Sequence, residues 1–427
     1  MSLLVVRRLK LGLVAFFVST SHSQFPMPDA RCPMPNSQFP MPDARCPMPN
    51  FQFPIPNSLL SMSRPTLYIA ITNHGFGHAV PVSSVAAKIQ ELNPDILLII
   101  TTTAPRWLLE SYIGGDFIHR PRAFDVGVVQ ADSLNMDKDA TLEKLREIRK
   151  KQNSLIASEV NFIKQNRVGL VLADIPPLAT RIAASAGVPC WMMANFGWDF
   201  IYRDWGGEFA EIADWIGECF GMCDRLFRLP LHEPMPAFPN IQDVGLTGGN
   251  PRYSNDRVRE VFGIETPLEK TVLLTFGGLG VEDIPYQNLQ LFSDWKFITF
   301  DAGCPDLPNL IKATNQEFTK SLPSLPRPVD IMPVCGRLLS KPGYSTFAEA
   351  LRLEIPVVSI MREGFAESAV LLEWLQNYAE HQIVTAAEFF EGDWEFLRKP
   401  LHPPRLSGKL DKNGTETIAQ AVVDYFR

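Results

Sequence analysis

The feature that constrains this chain most is a regular alternation of short, continuously apolar segments with longer segments of helical periodicity. The apolar segments cover residues 66–72, 95–103, 168–174 and 187–195, and then 270–280, 295–301 and 355–360. Apolar runs without polar alternation are typical of parallel strands that helices cover on both faces. The sequence therefore predicts an α/β protein with doubly wound parallel sheets.

The predicted helices fall between these strands and at the carboxyl end. They cover Ala79–Leu92, roughly Thr141–Arg167, Phe200–Phe220 and Thr415–Phe426. The segment LPLHEPMPAFPN, residues 229–240, lacks periodicity and predicts, with the next twenty or so residues, a connection between two domains.

We accordingly predict two Rossmann-like domains that face a cleft. The amino-terminal domain is assigned to residues 62–245, the linker to 246–268 and the carboxy-terminal domain to 269–427. Ligands of doubly wound sheets gather at the carboxyl ends of the strands, so the site is expected in that cleft.

Residues 1–61 differ from the rest because they are rich in proline. The unit SQFPMPDARCPMPN at 23–36 is repeated without change at 37–50. This proline spacing forbids helix and sheet, so we predict a disordered extension. Three interpretations stay open: translated non-coding sequence before a native start at Met62, a signal peptide built on LGLVAFFV, or a functional tail.

Charge and cysteine content restrict the partners and the compartment. The net charge is −7, from 40 basic and 47 acidic residues, which argues against nucleic acid as a partner. LGLVAFFV is too short to span a bilayer, so stable membrane insertion is not expected. Two of the seven cysteines lie in the repeat and the other five are scattered, which indicates reduced thiols in a cytoplasmic protein. Cys219 and Cys223 are interpreted as structural rather than metal-binding.

The first predicted strand ends in a loop that carries candidate catalytic groups. Its residues are Asn73, His74, Gly75, Phe76, Gly77 and His78. The glycines permit a tight turn that brings His78 to the start of the next helix, where it is suited to take a proton from an acceptor hydroxyl. We expect the helix dipole to lower the pKa of His78. Asp174 ends another strand and is suited to orient His78, although a structural histidine and an N-capping aspartate are the alternatives.

The second predicted domain carries a candidate phosphate site. Gly277 and Gly278 follow a strand and leave backbone amides free to approach a phosphate. A cation, a glycine and hydroxyls then open a helix, at Lys341, Gly343, Tyr344, Ser345 and Thr346. Glu349, one turn further, is suited to accept hydrogen bonds from ribose hydroxyls. A simple capping arrangement is the alternative.

At these motifs the chain resembles a known group. GHAVP at 77–81 and KPGYSTFAEALRLEIPVV at 341–358 resemble the two halves of nucleotide-sugar glycosyltransferases with the GT-B fold, whose donor signature is HCGWNSxxEAL. The glycosyltransferase-like region of bacterial and plant L-arabinokinases is more similar still, with HGFGHA, FGG and KxGYGTxxEAL in this order. No kinase domain follows in the sequence, so sugar phosphorylation is not expected.

The resemblance implies roles for individual residues. His78 corresponds to the catalytic base of inverting UDP-glycosyltransferases and Asp174 to its partner acid. Gly343, Ser345 and Thr346 correspond to the diphosphate loop and Glu349 to the ribose-binding acid. Glu367 lies near the position where the family has an Asp-Gln pair that binds the sugar hydroxyls. Lys341 stands where the plant signature has its phosphate-binding histidine.

The predicted activity is that of a metal-independent hexosyltransferase, which moves a sugar from a nucleotide diphosphate donor to an acceptor hydroxyl with inversion. The donor, expected to be a UDP-sugar, is a co-substrate, so no cofactor is predicted. The acceptor is a small molecule, a glycan or a lipid-linked compound. A non-hydrolysing nucleotide-sugar epimerase and a non-catalytic sugar-nucleotide-binding protein are the alternatives.

Overall fold

The structure of the protein is a computed structural model that describes residues 64–130, 134–278, 280–281 and 283–427. All of these residues belong to one unit of the chain. The predicted disordered extension and the three interpretations of it lie outside the described residues.

The first sheet has seven parallel strands in the order β3-β2-β1-β4-β5-β6-β7. Its strands are β1 Thr66–Ile71, β2 Leu97–Thr101, β3 Ile118–Arg120, β4 Leu170–Asp174, β5 Cys190–Ala194, β6 Arg225–Arg228 and β7 Ile241–Asp243. Its helices are α1 Ala79–Leu92, α2 Arg106–Tyr112, α3 Lys138–Gln165, α4 Leu178–Ala186, α5 Trp198–Trp205 and α6 Phe209–Phe220. Every residue of β1 and β4 is buried, as expected for central strands covered on both faces.

The second sheet has six parallel strands in the order β10-β9-β8-β11-β12-β13. Its strands are β8 Thr271–Thr275, β9 Lys296–Thr299, β10 Leu310–Lys312, β11 Arg337–Ser340, β12 Val357–Ile360 and β13 His381–Val384. The later helices are α7 Asn255–Phe262, α8 Gln316–Thr319, α9 Pro328–Ile331, α10 Tyr344–Leu353, α11 Ala366–Tyr378, α12 Ala386–Phe390 and α13 Gly414–Tyr425. The two doubly wound sheets are therefore confirmed.

Both sheets reverse their winding direction at an equivalent place. In the first sheet β1 lies beside β4, with Ile71 paired to Asp174. In the second sheet β8 lies beside β11, with Thr275 paired to Ser340. The loops that leave these strands diverge to opposite faces of the sheet and open a crevice at its carboxyl edge. This topology positions two binding crevices in one chain.

Two predicted segments differ from the structure. The helix predicted at Phe200–Phe220 is two helices, α5 and α6, because Gly206 and Gly207 both adopt positive φ, of 65° and 54°. Residues 229–240 do not lead directly out of the first domain, because β7 follows them and pairs with β6 at the edge of the first sheet.

The chain crosses back to the first sheet at its carboxyl end. Helix α13 packs on α1, and Tyr425 Oη donates a hydrogen bond to the carbonyl of Gly169 at 3.0 Å. The amide of Leu246 donates to the Asp411 carbonyl at 2.7 Å, so the two connecting segments hydrogen bond to each other. The predicted boundaries at 245 and 268 stay predictions.

Within the described part of the chain, no helix is long and apolar enough to cross a membrane. The five cysteines outside the repeat are all buried free thiols. Cys219 Sγ accepts a hydrogen bond from Arg181 at 3.1 Å. This contact agrees with a structural role for Cys219.

Candidate active site

His78 and Asp174 form a hydrogen-bonded pair at the first crevice. His78 directly precedes α1, and Asp174 is the last residue of β4, the strand beside β1. The Nδ1 atom of His78 lies 2.9 Å from Oδ1 of Asp174. Asp174 does not cap the next helix, since the residue before α4 is Pro177. The pairing predicted from the two strand ends is present.

The electrostatics of this pair differ from the expectation. Burial disfavours the charged imidazolium, but the Asp174 carboxylate, its hydrogen bond, and the carboxylates of Glu367 and Asp125 together raise the pKa of His78. The predicted lowering by the helix dipole is therefore wrong, because nearby full charges act more strongly than the partial charge of a helix end. Burial also raises the pKa of Asp174, against the effect of His78.

Aromatic rings enclose the His78 imidazole. Phe196 and Trp198 have ring centroids 5.7 and 5.9 Å from that of His78, and His74 lies at 6.1 Å. Burial and the neighbouring cations hold the pKa of His74 well below its usual value. The amide of Val128 donates to His74 Nδ1 at 3.2 Å, so the neutral ring carries its proton on Nε2. His74 is thus a buried, neutral ring packed beside His78.

Asp125 is a site residue that the sequence did not reveal. It is buried, and it accepts a hydrogen bond from the Asn73 amide at 2.8 Å and another from the Thr72 hydroxyl. Burial raises the pKa of Asp125 to about 6. The indole of Trp198 donates to Thr72 Oγ1 at 2.9 Å, which extends the network. Asp125 follows the short edge strand β3, and no motif marks it.

A pocket of about 460 Å³ opens beside this loop. Asn73, His74 and Asp125 line one side, and Lys144 and Glu147 of α3 line another. Its lining therefore combines hydrogen-bonding and charged groups with a few valines. The aromatic segment from Trp198 to Phe220 is largely buried, with Trp215 9% and Phe220 0% exposed.

The glycine loop of the second sheet contacts the first-sheet loop. Gly277 has a φ of 79°, and a side chain there would contact Lys341 Cε at 3.7 Å. The Phe76 ring occupies the space that a side chain at Gly278 would need. Gly277 is therefore favoured by its positive φ, and Gly278 by the close approach of the Phe76 ring from the first-sheet loop.

The start of α10 faces the first-sheet loop as well. Gly343 precedes the helix with no side-chain cap, so the capping interpretation of Ser345 and Thr346 is not observed. A side chain on Gly77 would lie 4.0 Å from Ser345 Oγ. The Tyr344 hydroxyl is 2.9 Å from that of Thr247, which fixes the first turn from behind. The first turn of α10 therefore lies close to the first-sheet loop, and no side chain caps it.

Glu349 lies apart from these groups. Its Oε1 accepts hydrogen bonds from the Gly249 amide at 3.0 Å and from the Tyr112 hydroxyl at 3.3 Å. Burial raises its pKa to about 7. Glu349 links α10 to α2 of the first sheet, and its assignment to ribose stays a prediction.

Glu367 closes the crevice from the β12–α11 side. The side chain of Asn195, which follows β5, donates to Glu367 Oε1 at 2.8 Å across the two sheets. Burial raises the pKa of Glu367. The hydrogen bond from Asn195 and the positive charges of His78, Arg362 and Lys341 act in the opposite direction and lower it. Asn195 and Arg362 were missed as site residues in the sequence, although Asn195 ends one predicted strand and Arg362 follows another. A search for polar residues at every strand end would have found both.

No group of three or more His, Cys, Asp or Glu side chains among residues 64–130, 134–278, 280–281 and 283–427 is placed to hold a metal ion. Metal independence itself stays a prediction.

The fold is GT-B, as comparison with solved structures shows. UGT89C1 of Arabidopsis thaliana complexed with UDP is 11% identical with a TM-score of 0.53, covering 84% of this chain and 98% of that one. UGT71G1 of Medicago truncatula complexed with UDP-glucose is 14% identical with a TM-score of 0.50, covering 84% and 94%. A UDP-glucosyltransferase of Polygonum tinctorium is 14% identical with a TM-score of 0.50, covering 84% of this chain and 93% of that one.

The sequence is similar to one particular curated protein, the L-arabinokinase of Arabidopsis thaliana. It is 31% identical over 332 residues, which cover 76% of this chain and 31% of that protein. The chain thus spans about a third of the length of the curated relative it matches. No family model matches the chain. The resemblance stated from the motifs is confirmed.

Proposed function

We propose that this protein is a glycosyltransferase, which moves a hexosyl group from a nucleotide diphosphate sugar to an acceptor hydroxyl with inversion. One observation carries the proposal: the histidine–carboxylate pair of the first crevice and the cationic helix start of the second crevice lie close to each other. Their closeness is shown by Gly77 and Ser345, because a Cβ atom added to Gly77 would lie 4.0 Å from Ser345 Oγ. Proton transfer and stabilisation of a leaving diphosphate need groups on opposite sides of the reacting carbon.

In this mechanism His78 takes the acceptor proton on Nε2, since Nδ1 faces Asp174 at 2.9 Å. The acceptor oxygen forms a bond to the anomeric carbon as the bond from that carbon to the diphosphate oxygen breaks. Asp174 stabilises the imidazolium that forms. Attack from the side opposite the leaving group inverts the configuration.

The leaving diphosphate would be held by the second sheet. Lys341, the amides at the start of α10 and the loop of Gly277 and Gly278 supply positive charge and hydrogen-bond donors there. Such pre-placed donors stabilise developing charge without a metal ion. The UDP and UDP-glucose complexes of structurally similar proteins support a UDP-sugar as donor.

The acceptor would occupy the pocket beside Asn73 and Asp125. Its mixture of amide, carboxylate and ammonium groups favours a polar acceptor with several hydroxyls over a flat apolar one. Asp125 and Glu147 can each accept a hydrogen bond from such hydroxyls.

A ligand screen tests the proposal. UDP-, GDP-, dTDP- and ADP-sugars are added to the protein, with the matching nucleoside monophosphate and free sugar as controls. At 100 times the dissociation constant a true donor stabilises the native state by about 2.7 kcal/mol, which raises the melting temperature. We also expect the protein to hydrolyse that donor slowly when EDTA is present to remove metal ions. Stabilisation by none of the sugars, together with no hydrolysis, would contradict the proposal.

A further inference from the structure

Asp199 and Glu233 are two buried carboxylates that the mechanism above does not use. Asp199 lies in the first turn of α5 and is 8% exposed, and Glu233 lies in the loop after β6 and is 3% exposed. Since β5 and β6 are neighbouring strands, the segments that follow them meet at the carboxyl edge of the first sheet. A buried carboxylate needs a compensating partner, because removing its charge from water is costly.

Both carboxylates contact the same glycine. The Gly197 amide donates to Glu233 Oε1 at 3.3 Å, and Asp199 Oδ1 occupies the space that a side chain at Gly197 would need. Asp199 Oδ1 has no hydrogen-bond partner among the residues that the structure describes. The two acids therefore lie close together, and one buried oxygen of the pair is open to a hydrogen-bond donor.

Glu233 also stabilises a strained loop. Its Oε2 accepts a hydrogen bond from the Met235 amide at 2.5 Å. Met235 and Leu231, two residues to either side of Glu233, adopt positive φ of 55° and 63°. Residues other than glycine avoid this region, so the contacts of Glu233 must hold the loop in place.

This loop in turn holds residues that surround His78. The Glu233 amide donates to the Asn195 carbonyl at 3.0 Å. Phe196 and Trp198 belong to the same segment, and their ring centroids lie 5.7 and 5.9 Å from that of His78. A change at Glu233 therefore reaches the aromatic rings that enclose the proton acceptor.

The charged groups around the pair do not neutralise it. Arg203 of α5 acts on Asp199 and Arg228 of β6 acts on Glu233, but each guanidinium pairs with an exposed aspartate, at 2.9 and 2.7 Å. His232, beside Glu233 in the loop, stays neutral because burial lowers its pKa. Neither carboxylate has an ion-pair partner of its own among the residues described.

The titration of the pair agrees with its geometry. Burial and the charge of Asp199 raise the pKa of Glu233 to about 7, against two backbone amides and Arg228. Burial also raises the pKa of Asp199. Two adjacent carboxyl groups with raised pKa values keep a proton where isolated carboxyl groups have lost theirs.

A proton explains the pair better than a metal ion does. Ca²⁺ and Mg²⁺ take about six to eight oxygen ligands. Both Glu233 oxygens already accept backbone amides, and no group of three or more His, Cys, Asp or Glu side chains in the described part of the chain is placed to hold a metal ion. A proton needs only two oxygens, and Asp199 Oδ1 is open to one.

We propose that Asp199 and Glu233 are positioning residues that share one proton, and that this proton holds residues 195–198 against His78. When the proton leaves, two buried carboxylates repel each other, and the loop that Glu233 holds loosens. The role of His78 rests on the proposed function, whereas the shared proton is tested on the protein without donor or acceptor.

Chemical denaturation of the full chain at pH 5.5 and pH 8 tests the shared proton. The ordinary pKa of a glutamate is 4.5 and that of native Glu233 is about 7, so the native state binds the proton more tightly. Stability therefore falls as the pH rises through this window. Asp199→Asn removes one charge and supplies the missing donor permanently. Relative to this variant, the folding equilibrium constant of the wild type should fall about 10-fold from pH 5.5 to pH 8.

The matched control is Asp204→Asn, which changes an exposed carboxylate of the same helix and should follow the wild type at both pH values. An equal pH dependence in Asp199→Asn and the wild type would overturn the inference. Stabilisation by Ca²⁺ or Mg²⁺ of the wild type at pH 8, but not of Asp199→Asn, would also overturn it, because a cation would then occupy the pair. If Asp199→Asn does not fold, Glu233→Gln decides by the same comparison.

Turnover tests whether the pair positions the site. At saturating donor, the ratio of turnover by Asp199→Asn to turnover by the wild type should rise about 3-fold or more from pH 6 to pH 8.5, because only the wild type loses the proton. A constant ratio would reject the positioning role. The expected pH dependence of stability, in a protein that transfers no sugar, would leave the shared proton standing and reject the proposed function.

Discussion

The two crevices of this protein have the same strand topology and opposite chemistry. At the first, between β1 and β4, a histidine meets a carboxylate, with Asp125 and Glu367 near enough to act on its pKa. At the second, between β8 and β11, glycines, a lysine and a helix start meet. In the proposed function, one fold thus supplies a proton acceptor and an anion site from the same position in each sheet.

The difference teaches that topology sets where a site is and side chains set what it does. Parallel strands of either sheet end at a crevice, whatever their sequence. The first crevice gains basicity because carboxylates favour a protonated imidazole. In the proposed function, the second gains affinity for anions because backbone amides and a cation converge there.

The largest effect is expected from a substitution that changes the first crevice alone. His78→Ala removes the proton acceptor, so turnover of the donor identified by the screen should fall about 10³-fold. Turnover is measured by release of the nucleoside diphosphate. His402→Ala, which removes an exposed histidine behind β13, is the control and should keep full turnover. Full activity of His78→Ala would reject the mechanism.

Asp174→Asn should lower turnover about 10²-fold and move its pH dependence. A base acts only when deprotonated, so turnover rises with pH through the pKa of His78, which the native carboxylate raises above 6.5. Without that charge the pKa of His78 falls, and the acid limb of the profile should shift to lower pH. A pH–rate profile measures both effects. An unmoved limb would show that His78 is not the titrating base.

A smaller effect is expected from the second crevice. Lys341→Gln should weaken donor binding about 10- to 100-fold, equal to about 1.4 to 2.8 kcal/mol. The native ammonium has a pKa of about 8, so donor affinity of the wild type should fall as the pH rises above that value. Titration calorimetry at pH 7 and pH 9 tests both. Equal wild-type affinities at the two pH values would contradict the role of Lys341.

The smallest effect concerns the contact between the two sheets' helices. Tyr112→Phe removes the hydroxyl that donates to Glu349 at 3.3 Å and should cost about 1 kcal/mol of stability. Chemical denaturation measures the loss. Turnover at saturating donor should stay within about twofold, because the hydroxyl touches neither crevice's reacting groups. A large loss of turnover would show that Tyr112 belongs to the site.

The sequence predicted the crevice residues better than their surroundings. His78, Asp174, Gly277 and Lys341 were found because strand ends marked by Gly, His, Asp or Lys stand out after apolar runs, and parallel topology gathers strand ends. The alternation also predicted seven of the thirteen strands in the described part of the chain, six of them to within about three residues at each end.

Other features depend on contacts between distant segments. Asp125 and Arg362 follow short strands without a motif, and their burial depends on loops that fold over them. The sign of the pKa shift of His78 needed the positions of three carboxylates. Glu349 was placed correctly on its helix, but its partner Tyr112 is 237 residues away, and local patterns carry no information on that pairing.

The central claim is that the first crevice moves the proton and the second holds the diphosphate. Calorimetric titration of the donor's nucleoside diphosphate into His78→Ala and Lys341→Gln tests it most directly. The account predicts wild-type affinity for His78→Ala and an affinity at least 10-fold weaker for Lys341→Gln. A lost affinity in His78→Ala together with full affinity in Lys341→Gln would contradict it.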